Sequence, residues 1–104
     1  KNTFPRFNFL DYPELTFEKP DFSAFRNLQL AYDSLEKGGN APAILNAANE
    51  IAVARFLNDE VRFEQLPDVV EHALNKVSFE KAPDLDALIA ADLEARKIAG
   101  EFPG

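Results

Sequence analysis

A chain of 104 residues with 18 acidic and 11 basic side chains, formal charge −7, is long enough for one domain with a modest core. Its acidity disfavours nucleic acid and anionic membrane as partners, and no apolar run approaches the roughly 20 residues of a membrane span. With no cysteine, disulfides, thiolate metal sites and cysteine nucleophiles are excluded, and no signal-peptide pattern opens the chain.

The first twenty residues, "KNTFPRFNFLDYPELTFEKP", carry three prolines and five aromatics with no helical period. Each proline fixes its own φ and pushes the residue before it toward extended geometry. An extended arm is expected over 1–21, most strand-like from Leu15 to Glu18, and its phenylalanines need a surface to lie on. The chain begins at Lys1 and contains no methionine, and with this aromatic opening it reads as a piece of a longer folded protein.

A helical domain is expected over 22–104. In "FSAFRNLQLAYDSLEKGG", Phe25, Leu28, Ala31, Tyr32 and Leu35 recur on one helix face, and Gly38 and Gly39 supply a left-handed C-cap. A second helix begins at Asn40 or Ala41, with Pro42 in its first turn, where no N–H is needed. From Ala43 to about Asn58 it is apolar at nearly every angle, the mark of a central helix. Val61 to Phe63 suits a brief extended contact. Pro67 then restarts a helix in which Leu66, Val69, Val70, Ala73, Leu74 and Val77 keep helical spacing without a fault. Asp84 is a candidate N-cap for a fourth helix, whose Leu85, Leu88, Ile89, Asp92, Ala95, Arg96 and Ala99 share one face up to Gly100. The expected fold is all-α, a small antiparallel four-helix bundle preceded by the arm.

Few residues suggest chemistry. His72 falls off the apolar stripe of the third helix with no orienting partner at helical spacing, so it reads as an exposed surface histidine. The carboxylate pairs Asp33 and Glu36, Asp59 and Glu60, and Asp84 and Asp86 lie on a solvated face or at helix ends, where proximity alone does not make a metal site. Gly38-Gly39 ahead of a helix N-terminus could form an anion site, but a C-cap followed by a turn explains it better. Asp92 and Arg96, four apart, interrupt an apolar stripe and are expected to form a partly buried structural ion pair. In "LNAANE", Asn46, Asn49 and Glu50 share one side of the second helix, continued by Val53 and Leu57. Asparagine is a poor mid-helix residue, so two of them need a reason. Their donors and acceptors could tie down a neighbouring loop or the arm, or recognise a ligand; with no base, nucleophile or phosphate loop nearby, a buried structural seam is the stronger expectation.

"LTFEKPDFSAF", "LQLAYDSLEKGGNAPAILNAANEIAVARFLNDEVRF", "LPDVVEHAL" and "DLDALIAADLEAR" resemble, in that order, the C-terminal part of 1-deoxy-D-xylulose 5-phosphate reductoisomerases. The likeness runs from about Leu10 to Arg96 and is most specific over Gly39 to Phe56. The family usually has Phe-Pro-Cys-Leu where this chain has Phe25-Arg26-Asn27-Leu28. The resemblance implies a homodimeric, cytoplasmic bacterial enzyme of the non-mevalonate isoprenoid route, which uses NADPH and a divalent cation (Mg or Mn). It places this chain in the linker and C-terminal helical domain, with no catalytic, cofactor-binding or metal-binding residue of its own. The NADPH-binding and catalytic domains of the same polypeptide would be its partners. The rival readings are a free-standing acidic helical interaction module and a small enzyme centred on Asn46, Asn49, Glu50 and His72.

Overall fold

A computed structural model describes residues 19–104, with side chains from Ser23 onward. The expected arm, including its strand-like stretch, lies outside the described residues up to residue 18. Four helices follow in chain order: α1 (Lys19–Lys37), α2 (Ala41–Leu57), α3 (Leu66–Lys76) and α4 (Leu85–Glu101). A single 3₁₀ turn, Phe63–Gln65, precedes α3. The fold is all-α, with no strand among the described residues. The extended contact expected at Val61 to Phe63 is therefore replaced by the 3₁₀ turn, beside which Val61 is buried.

Local signals set most boundaries. α1 is already helical at Lys19, ahead of the expected start at 22, and Pro20 is accommodated in its first turn. Gly38 and Gly39 end it at φ +70° and +58°. α2 starts at Ala41 with proline in its first turn. Asp84 caps α4 by accepting a 2.8 Å hydrogen bond from the Ala87 N–H.

Cross-chain contacts give the direction of each helix. Glu50 and Arg55 of α2 reach Arg96 and then Ala99 and Phe102 of α4, so α2 and α4 run the same way. Arg26 of α1 pairs with Asp68 and Glu71 near the start of α3, while the end of α1 meets Phe79 through Lys37. Successive helices thus alternate up and down, with α2 in contact with the other three.

The core is built of small residues. Ile44, Ala47, Ala48 and Ala52 of α2 pack with Val69, Val70 and Ala73 of α3 and with Ala91, Ala95 and Ala99 of α4. Alanine at these positions lets the helix backbones approach closely, and the largest fully buried side chains are Ile44, Val69, Val70 and Pro67. The α3 stripe read from the sequence is the one that packs: five of its six residues are buried, and the sixth, Leu74, lies half-buried against the core.

Two other stripes point elsewhere. α1 turns Ser23, Leu30 and Ser34 inward and leaves Leu28 and Leu35 about half exposed. α4 buries Ala91, Ala95 and Ala99, while Leu85 and Ile89, expected on the packed face with Ala95 and Ala99, are exposed. Periodicity finds an apolar face, but a helix with both a leucine face and an alanine face can pack either one.

Candidate functional site

The outer faces of α2 and α4 hold the residues singled out in the sequence. Arg96 projects from α4, its Nε donating to Asp92 Oδ1 at 2.6 Å and its Nη2 meeting Glu50 Oε1 of α2 at 3.0 Å. Hydrogen bonds with Asp92 first, then Glu50, hold the guanidinium above the usual arginine value. The expected intrahelical pair is present, and its link to Glu50 joins two helices. The expected burial of the asparagines is not met. Asn46 and Asn49 are exposed on α2, beside exposed Glu50, Val53 and Leu57, so a buried seam does not exist within the bundle. The reason is rotational: α2 turns the Ile44, Ala48 and Ala52 side toward its neighbours, and the asparagines lie roughly opposite.

His72 is half-buried rather than largely exposed, because its ring packs edge-on against Phe102 at 5.5 Å between centroids. The carboxylates of the three pairs have ordinary roles. Asp33 accepts from Gln29, Glu60 pairs with Arg55, and Asp84 is the α4 cap. Among the described residues no group of three His, Asp or Glu side chains could hold a metal ion.

The N-terminus of α2 is occupied by protein. A side-chain carbon at Gly39 would lie 2.1 Å from the Glu80 carbonyl oxygen, and the Asn40 N–H donates to that oxygen at 2.9 Å. The anion reading of this turn therefore gives way to a packed junction. A cleft of about 160 Å³ between α1, α2 and α3, lined by Leu30, Ser34, Lys37, Ile44, Leu74 and Phe79, is small for a cofactor.

Three residues that organise the domain were not apparent in the sequence. Asn40, 2% exposed, donates through Nδ2 to the Ser78 carbonyl at 3.0 Å and accepts from the Glu80 N–H at 2.9 Å. It clamps the α1–α2 turn to the α3–α4 loop. Arg55 donates through Nη1 to the Ala99 and Phe102 carbonyls at 2.9 and 2.6 Å, satisfying the C-terminus of α4 at the other end of the bundle. Arg26 ties α1 to α3 through Asp68 and Glu71 at 2.8 and 2.9 Å. The only local signal was an asparagine before a proline-started helix, which marks a boundary and says nothing about a partner forty residues on.

Comparison with known proteins accounts for this structural character. The family described as the DXP reductoisomerase C-terminal domain matches residues 1–98. The 1-deoxy-D-xylulose 5-phosphate reductoisomerase of Bacteroides fragilis is 51% identical over 97% of this chain, which spans 26% of that protein. The Acetivibrio thermocellus protein of the same name is 44% identical over 98% of the chain and 27% of its own length. A solved structure, the Zymomonas mobilis 1-deoxy-D-xylulose 5-phosphate reductoisomerase in complex with NADPH, superposes with a TM-score of 0.67 at 37% identity, covering 96% of this chain and 26% of that one. The chain spans about a quarter of the length of the relatives it matches.

Proposed function

Because this chain belongs to the 1-deoxy-D-xylulose 5-phosphate reductoisomerase family, whose C-terminal domain it forms, we propose that it braces the catalytic part of such an enzyme. The intact polypeptide would rearrange and reduce 1-deoxy-D-xylulose 5-phosphate to 2-C-methyl-D-erythritol 4-phosphate, within non-mevalonate isoprenoid synthesis. It would be a cytoplasmic homodimer using NADPH and a divalent cation. The observation that carries this reading is 51% identity along nearly the whole chain to a reductoisomerase about four times as long.

The described residues suit a supporting role. Three of their arginines hold helices together: Arg26 on α3, Arg55 on the end of α4, and Arg96 on α2. Hydride transfer requires a positioned nicotinamide, and the rearrangement requires a cation on the substrate oxygens. Among the described residues there is no cluster of three metal-ligating side chains, and no step is assigned to them.

The test is an assay of the full-length polypeptide that carries this domain. NADPH oxidation, followed at 340 nm, should require both 1-deoxy-D-xylulose 5-phosphate and a divalent cation, and the 104-residue chain alone should show none. A full-length protein that binds NADPH but leaves the substrate unchanged would refute the assignment.

A further inference from the structure

The brace reading leaves open which surface does the bracing, and one face stands out. On α4, Leu85, Ile89 and Leu93 are 70%, 51% and 64% exposed and follow one another at four-residue spacing. On α2, Val53 and Leu57 are also exposed, and Asn46 and Asn49 extend the same side. The Glu50–Arg96 ion pair spans the two helices beside these residues, which places both stripes on one side of the bundle. A surface helix that served its own bundle alone would turn its leucines inward. α4 does the reverse, burying Ala91, Ala95 and Ala99.

We propose that this α2–α4 face docks on the part of the reductoisomerase polypeptide that precedes the domain, a proposal that rests on the family reading above. The relatives supply that occupant: they are about four times as long, and this domain is their C-terminal one. The face has an apolar centre, with carboxamides at Asn46 and Asn49 free to bond a partner's backbone. Glu50, Asp86 and Asp92 stand with Arg96 and Lys97 around it, so the fitting partner presents an apolar patch with a rim of mixed charge, slightly basic in balance. Leu28 and Leu35 of α1 are the other exposed leucine pair, but Phe25 and Tyr32 beside them are half-buried and already engaged.

The test uses the full-length polypeptide with a photoreactive benzoylphenylalanine replacing Leu93, and in a second variant Ile89, both exposed positions that tolerate a larger ring. After irradiation and proteolysis, the α4 peptide should be joined to peptides from the preceding domains. Products joining two copies of α4, products with residues 1–18, or no product from either variant would each overturn the proposal. Turnover by the unsubstituted enzyme is measured separately. An active enzyme without the expected cross-links removes the docking face and leaves the family activity standing, while expected cross-links in an enzyme without turnover do the opposite.

Discussion

Asn40 shows how one side chain can decide whether two loops meet. Its carboxamide, itself buried, is the donor for the Ser78 carbonyl and the acceptor for the Glu80 N–H. Asn40→Ala leaves both backbone groups without their partner and should cost about 2–3 kcal/mol, read as a lower urea midpoint with an unchanged slope. Asn40→Asp keeps the acceptor but sets a carboxylate oxygen against the Ser78 carbonyl, so it should cost at least as much. The neighbouring glycines separate backbone strain from crowding. Gly38 has open space around it, and Gly38→Ala should cost about 1–2 kcal/mol for its left-handed φ alone. Gly39→Ala adds a collision with the Glu80 carbonyl oxygen, and about 2–5 kcal/mol is expected. Equal losses at the two positions would show that the junction yields.

At the scale of elements, the α2–α4 contact depends on alanine. Ala95 is fully buried, and Ala95→Leu forces the helices apart, at about 1–3 kcal/mol. Leu93→Ser, two residues earlier on the exposed side, should change the stability of the 104-residue chain by no more than about 0.5 kcal/mol. Chemical denaturation of the two variants checks the contrast, and it runs against the expectation that leucines matter more than alanines. The same contrast explains what was legible in the sequence. α3 was readable because it has one apolar face, kept at strict helical spacing. α1 and α4 each carry two candidate faces, and spacing alone does not say which one packs. The existence of four helices, the left-handed cap and the Asp84 cap follow from local chemistry. The Asn40 clamp and the Arg55 cap depend on partners about forty residues away. Asn46 and Asn49 stand out in the sequence as polar residues mid-helix, but their exposure depends on how α2 is rotated, and its apolar composition conceals that. The ion pair that joins these elements should be indifferent to ordinary pH on the arginine side. A cation whose folded pKa is raised contributes fully below its unfolded value and loses that contribution only as pH rises through the folded one, here beyond the usual arginine range. Arg96→Met should therefore shift the melting temperature equally at pH 7 and pH 9, and a shift that shrinks at pH 9 would contradict this.

For the whole molecule, the core and the surface point to the same conclusion. A core of alanine and valine removes little apolar area per residue, while three large side chains of α4 remain in water. The net stability of a small domain is a narrow difference between large terms, and these residues, left in water, add nothing to it. Covering them by a preceding domain adds stability without altering a single internal contact, as any ligand of the native state does. Amide exchange measures this directly. The slowest amides should be those of the α2 core, around Ala47, Ala48 and Ala52, whose exchange reports global opening of the bundle. In the full-length polypeptide these amides should exchange at least about tenfold more slowly than in the 104-residue chain, corresponding to about 1.4 kcal/mol or more of added protection. The replacement Leu93→Ser should remove much of that gain in the full-length protein while leaving exchange in the short chain almost unchanged. Equal exchange rates in the two chains would mean that the bundle folds for itself alone and that its leucine face is left bare.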